Sequence, residues 1–322
     1  MHTLSSYSVY FEYEIGKYRF PTTPENLYQP LEYFLQLGGK RIRPLLTLMA
    51  SEMFGLPKEN AIQASLAVEL FHNFSLIHDD IMDDAPLRRG QQTVHLKWNE
   101  DIAILSGDVL LIKAYQALAK QEARHIPALL DLFNRTAVEV CEGQQMDMDF
   151  ESRDEVSIEE YIEMIRLKTS VLLGCALAFG AIVSDATERD DTLIYAFGQN
   201  LGIAFQIQDD ILDLYGDPEK FGKQIGGDIV ANKKTLLLLK ALELAQHNPE
   251  TNVEEMLLIE DQVLKIETAK SMFDSLGVLA FAREQMTFYQ NKALSALKEI
   301  SVSSERKKTL IELSEYLFQR EV

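Results

Sequence analysis

The chain is poor in the residues that break helices and in those that staple small domains. Its 9 prolines and 16 glycines are few for 322 residues, and many gather at 21–24, 38–44, 86–90 and 216–227. Two cysteines, Cys141 and Cys175, cannot build a disulfide framework. They fit a reducing compartment and read as small, buried apolar side chains. Basic residues are outnumbered, with 31 Lys and Arg against 50 Asp and Glu, a net charge of −19. That deficit excludes non-specific nucleic-acid binding and adhesion to an anionic membrane, since both need a basic face. Residues 1–18 lack the basic flank and apolar core of a secretory signal, and the uncharged runs Thr169–Ser184 and Thr192–Gln208 are too short or too polar to span a bilayer. The chain reads as cytoplasmic.

No stretch alternates apolar and polar residues long enough to argue a sheet. Apolar residues instead recur at three- and four-residue spacing over 61–81, 102–119, 128–140, 158–183, 193–214 and 235–245. With 47% hydrophobic residues to fill a core, this predicts an all-α bundle of about ten or more helices. No low-complexity linker interrupts it, so residues 1–322 read as one domain. The first 20 residues, rich in tyrosine, suit either a helix or an arm. The segment from Glu250 to Val322 has helical texture and no recognisable chemistry.

Two clusters carry the chemistry. Asp79-Asp80-Ile81-Met82-Asp83 and Asp209-Asp210-Ile211-Leu212-Asp213 share the pattern DDxxD. With 20 aspartates in 322 residues, one such pattern is expected about 0.08 times by chance. Positions i and i+4 of a helix point the same way, so Asp79 lies above Asp83 and Asp209 above Asp213. Like charges at that spacing destabilise a helix unless a cation sits between them. Oxygen ligands without histidine or cysteine select a hard ion, Mg²⁺ or Ca²⁺, and the spacing is not that of an EF-hand. Two such helices would hold a small Mg²⁺ cluster around a polyphosphate.

Cations for that phosphate stand beside glycine turns and acidic clusters: Gly38-Gly39-Lys40-Arg41-Ile42-Arg43-Pro44, Arg88-Arg89-Gly90, Lys168-Thr169, Lys223 and Lys233. Arginine forks and lysine point charges together suit a diphosphate. His72 lies two turns before Asp79 on nearly the same face. Ser106-Gly107-Asp108 and Gly143-Gln144-Gln145-Met146-Asp147 are weaker signals.

These motifs (GGKRIRP, LIHDDIMD with APLRRG, LSGD, LKTS, FQIQDDILD, GK and NKKT) resemble those of the trans-isoprenyl diphosphate synthases, or polyprenyl synthetases, from Gly38 through Thr235. The resemblance implies one helical domain around a deep cavity, usually paired as a homodimer. It also implies head-to-tail condensation of isopentenyl diphosphate with an allylic diphosphate. By position, Asp79 and Asp83 would hold two Mg²⁺ and Asp209 a third, supported by Asp80, Asp210 and Asp213. Arg88, Lys168, Lys223 and Lys233 would bind the allylic diphosphate. Lys40, Arg43, His72 and Arg89 would bind isopentenyl diphosphate, and Thr169 and Gln206, with backbone carbonyls near Lys168, would stabilise the allylic cation. The family's usual glycine in the GKxT segment is Asn232 here.

Product length is implied by the residues before Asp79. A bulky aromatic five positions upstream, here Phe74, without a two-residue insertion in the first cluster, resembles geranylgeranyl (C20) synthases, with farnesyl (C15) next. On a helical wheel Ser75 lies about 40° from Asp79, Phe71 about 80° and Phe74 about 140°, and Phe71 is about 12 Å deeper. Phe71, Phe74 and Ser75 are therefore the candidate floor of the cavity. Two rivals are a class I terpene cyclase, which needs no isopentenyl site, and a non-catalytic diphosphate-binding subunit of a heteromeric synthase.

Overall fold

The periodic segments fold as helices throughout. In this computed structural model, which describes residues 4–216, 225–246, 248 and 252–318, the only strands among those residues are the two-residue pair Leu87–Arg88 and Gln91–Gln92. The all-α expectation is borne out. The chain divides into two compact units, residues 1–133, 175–192 and 301–310, and residues 134–174, 193–300 and 311–322.

The first unit contains α1 (Leu4–Gly16), α2 (Glu25–Gln36), α3 (Ile42–Phe54), α4 (Ile62–Met82), α5 (Val94–Lys97) and α6 (Glu100–Leu118). The tyrosine-rich N-terminus is a helix, because Tyr7, Phe11 and Ile15 recur every four residues and are buried. Helix α4 is buried on every side over residues 64–71, where only Ser65 and Glu69 are polar. It stops at Asp83, after which Asp84 takes a left-handed conformation and Pro86 prevents continuation. Helix α6 starts where the Asn99 side chain accepts the Ile102 N–H at 2.8 Å. Gly107 on α6 leaves the space that the His78 ring of α4 fills, and His78 Nε2 lies 3.1 Å from the Ile104 carbonyl. The Ser-Gly-Asp signal thus packs the end of α4.

Helices α7 (Ile126–Ser152), α9 (Val171–Val183) and α10 (Glu188–Tyr215) contribute residues to both units, while α8 (Ile158–Ile165) lies in the second. A capping box opens α8, with Ser157 and Glu160 each satisfying the other's backbone N–H. Between α8 and α9, residues Arg166–Ser170 form a π-helical turn. The stretch Ile158–Val183 is long and apolar enough to cross a membrane, but 78% of its apolar window is buried inside the protein. The core around it includes Tyr161, Ile207, Ile211, Leu236 and Phe273. The C-terminal segment forms four more helices, Val253–Leu257, Gln262–Leu276, Val278–Glu299 and Ser304–Phe318. One expectation fails: Cys175 is buried as anticipated, but Cys141 is exposed. It falls on the outward side of α7, away from the stripe formed by Val140, Gly143 and Gln144.

Candidate active site

In the first unit, the glycine-rich turn before α3 places its charges by backbone conformation. Gly38, Gly39 and Arg41 all have positive φ, at 71°, 134° and 49°. Arg41, not among the expected binding residues, is turned inward. Its guanidinium pairs with Glu69, both side chains only 2% exposed, and donates to the Leu35 carbonyl at 2.6 Å and to Glu12 at 3.3 Å. With Arg41 anchored, Lys40 stays at the surface. Two residues on, Arg43 donates to His72 Nε2 at 3.1 Å. Because arginine can only donate, this contact leaves the His72 proton on Nδ1. Burial, reinforced by Arg43, Arg89, Arg88 and Arg41, holds the His72 pKa well below the usual histidine value. Arg89 completes the group: a Cβ on Gly39 would come within 2.8 Å of its guanidinium. Arg43, His72 and Arg89 therefore converge on the glycine turn, where an anion would meet two guanidinium groups and backbone bare of side chains.

The low His72 pKa has a sign. The unfolded chain binds a proton at about pH 6.5 that the folded chain refuses, so stability is full above that value and declines as pH falls toward the folded pKa. Unfolding free energy is expected to drop between about pH 7 and pH 5, and less steeply in His72→Gln. Denaturant titrations of both proteins across that range check this; equal slopes refute it.

The first aspartate row stands at the C-terminal end of α4. Asp79 is partly buried, Asp83 exposed, and the Asp83 N–H donates to the Asp79 carbonyl at 2.9 Å. Asp80 is buried and engaged by Arg88, whose Nε donates at 2.9 Å and whose Nη2 makes a second, shorter bond to the same Oδ1. Its other oxygen, Oδ2, has no protein partner. Burial raises the Asp80 pKa against the opposing pull of Arg88. Asp80 and Arg88 thus form a fork beneath the more accessible Asp79 and Asp83. Phe74 packs edge-on against His78 at 4.7 Å and lies 5.6 Å from Phe71. Phe71, only 1% exposed, meets Phe133 edge-on at 5.2 Å, and Ser75 donates to the His72 carbonyl at 2.9 Å.

In the second unit the π-helical turn is admitted by two glycines. A Cβ on Gly143 would overlap the Lys168 backbone, and one on Gly202 would lie 2.7 Å from Ser170 Cα. The turn presents Lys168 and Thr169 at partly buried positions. Lys168 Nζ lies 2.6 Å from Asp147 Oδ2, and Lys233 Nζ reaches the same oxygen at 3.5 Å. Burial opposes ionisation of Asp147, but the two lysines overcome it and its pKa falls below the usual carboxylate value. Asp147 is the residue that sequence reasoning missed. The GQQMD segment was its only local sign, because both lysines come from remote parts of the chain.

The second row is held more tightly than the first. Buried Asp210 accepts from the Tyr161 hydroxyl, from Gln206 at 3.4 Å and from the Leu236 N–H at 3.3 Å. Burial still pushes its pKa up to about 7. The Asp213 carboxylate accepts the Asp228 N–H at 3.0 Å, while Asp209, one turn earlier, is partly buried. Asn232 has φ 55°, a left-handed conformation that asparagine tolerates better than most other residues with a side chain, so it can stand where glycine is usual. Lys223 lies outside the described residues.

Both rows stand near the C-terminal ends of their helices, where the helix dipole is already negative. Carboxylates there gain from a bound cation, and oxygen donors suit a divalent hard ion. Among the described residues no three His, Cys, Asp or Glu side chains already form a metal-binding group. An ion at either row would therefore complete its shell with phosphate oxygens and water, as Mg²⁺ characteristically does.

Residues 24–275 match the polyprenyl synthetase family. The chain belongs to that family. A short chain isoprenyl diphosphate synthase of Methanothermobacter thermautotrophicus is 37% identical over 100% of this chain and 98% of its own. A geranylgeranyl pyrophosphate synthase of Geoglobus acetivorans is 40% identical, with 92% of each chain covered. A crystal structure of a geranylgeranyl pyrophosphate synthase aligns with a TM-score of 0.94 at 47% identity over 100% of both chains. The chain is a prenyltransferase of this chain-elongating family, whose members use divalent metal ions.

Proposed function

We propose that the protein condenses isopentenyl diphosphate with an allylic diphosphate, head to tail, making an all-trans prenyl diphosphate and releasing diphosphate. The observation that carries this reading is the convergence of Arg43, His72 and Arg89 on the Gly39 turn. A terpene cyclase has no use for a second diphosphate site, and elongation by the purified protein alone would exclude an idle diphosphate-binding subunit. We assign Lys40 and the convergent group to isopentenyl diphosphate, and Arg88, Lys168, Lys223 and Lys233 to the allylic diphosphate. Asp79 and Asp83 are assigned to two Mg²⁺ and Asp209 to a third, with Asp80, Asp210 and Asp213 in support. When bound, the ions supply Lewis-acid stabilisation of the departing diphosphate.

The lysines and Arg88 add fixed positive charge where that negative charge develops. The allylic C–O bond breaks, the isopentenyl double bond attacks the allylic carbon, and a proton leaves to the departing diphosphate to form the new double bond. Thr169, Gln206 and the carbonyls near Lys168 face the allylic cation in this assignment; a π-helical turn suits the task because it interrupts the regular backbone ladder. We further propose that the chain works as a single synthase domain within a cytoplasmic homodimer.

The product we favour is geranylgeranyl diphosphate, with farnesyl diphosphate next. Incubation with isopentenyl diphosphate and C5, C10 or C15 primers, read by mass, is expected to end at C20. Turnover of the allylic diphosphate alone would instead indicate a cyclase. Phe74 is less buried than Phe71, so Phe74→Ala is expected to add one or more C5 units. Phe71→Ala is expected to lengthen the product too, at a stability cost of about 3–5 kcal/mol for the cavity left beside Phe133. Unchanged products from both variants would discard these residues as the floor.

A further inference from the structure

Buried polar atoms without a protein partner single out a residue that the assignments above leave unused. Among the described residues, only His95 and Gln144 leave two side-chain polar atoms both buried and unpaired. Gln144 is 9% exposed, and neither Oε1 nor Nε2 meets a protein partner, so reversing its amide would not relieve it. Such a group costs folding free energy, and chains keep one where something outside the fold satisfies it.

Its position says what that is. Gln144 lies on the buried face of α7 with Thr136, Val140 and Gly143. Gly143, its neighbour, is the point where α7 meets the backbone of the Lys168 turn. Asp147, three residues on, is the carboxylate that holds Lys168 and Lys233. Residues three apart on a helix are neighbours, with Cβ atoms about 5–6 Å apart. The unpaired amide is thus flanked by the π-helical turn on one side and the two-lysine carboxylate on the other. A carboxamide in that setting offers one strong donor beside two ammonium groups, which is the chemistry of a phosphate contact.

We propose that Gln144 contacts substrate directly, its Nε2–H donating to an oxygen of the allylic diphosphate held by Lys168 and Lys233. This rests on the synthase reading and deepens it. No protein group competes for the amide, and in the complex it would donate to a charged acceptor, a stronger hydrogen bond than one to a neutral partner. A hydrogen bond to a charged acceptor of this kind corresponds to roughly ten- to a hundredfold in affinity.

The test is Gln144→Met, which keeps the length of the side chain and removes both polar atoms. Isothermal titration with inorganic diphosphate and MgCl₂ is expected to show at least tenfold weaker binding than wild type. The ligand-free variant is expected to melt close to wild type, because neither amide atom pairs with another protein group. The KM of the allylic substrate should rise while that of isopentenyl diphosphate stays within twofold. Diphosphate binding weakened by less than tenfold overturns the proposal, whatever the melting temperature. Should the Met variant not fold, Gln144→Leu answers the same question, since it also removes both polar atoms while filling much of the same space. Wild-type protein unable to elongate any primer would overturn the synthase reading; wild-type elongation with unaltered diphosphate binding in the variant overturns only the role of Gln144.

Discussion

Asp79→Asn combined with Asp209→Asn is expected to lower elongation by about a thousandfold or more while leaving the protein folded. Asparagine keeps the shape of each side chain and one oxygen, and removes the charge that holds a hard cation. Several kcal/mol of leaving-group stabilisation depend on that cation, and each 1.36 kcal/mol is a factor of ten in rate. Stability should move the other way. Asp79 stands in the last turn of its helix, where a negative charge is unfavourable by a few tenths of a kcal/mol. A variant that melts at or above wild type yet hardly turns over separates lost chemistry from lost fold. Chelation of divalent ions from the wild type should reproduce the activity loss. Product formation by the double variant within tenfold of wild type would refute the metal-ligand assignment.

The second large effect concerns stability. Arg41 and Glu69 form an ion pair from which solvent is excluded, and Asn73 donates to both the carboxylate and the carbonyl of Glu69 at 2.9 and 2.6 Å. Glu69→Leu leaves the buried guanidinium with only the half-exposed Glu12, 3.3 Å away, as counter-charge, and losing the buried partner typically costs about 3–5 kcal/mol. Arg41→Met together with Glu69→Leu removes both charges and should recover most of that loss, because an apolar pair of similar volume is often as stable as a buried ion pair. Denaturant unfolding of the two variants measures the difference. A double variant as unstable as the single one would contradict the argument. The same pair anchors the turn that carries Gly39 and Lys40. The double variant should therefore show a raised KM for isopentenyl diphosphate with the allylic KM little changed.

Much of this was legible from local pattern. The 3.6-residue period of apolar side chains marks α4, α6 and α10, and the i, i+4 aspartates follow from the same geometry. Helix α7 outruns its apolar period. The period extends only to Val140, yet the helix continues to Ser152. The last three turns keep the buried stripe at Gly143, Gln144 and Phe150. Two of the three are not large apolar residues, so hydrophobic periodicity fades where the chemistry begins. Arg41 and Arg43 show a second kind of limit. They are alike in type and two residues apart, and only backbone conformation and burial separate the one turned onto Glu69 from the one aimed at His72.

What the sequence determined by itself is whatever repeats within a few residues: the helical class, the paired DDxxD rows with their oxygen donors, and the family motifs that imply prenyl transfer. Tertiary structure alone decided the partners: Asp147 with lysines 21 and 86 positions away, Tyr161 with Asp210, Gly202 with Ser170. The reason is physical. Spacing along one helix is set by bond geometry that every residue shares, whereas contact between distant segments depends on how side-chain volumes pack, and no short stretch of chain contains that information.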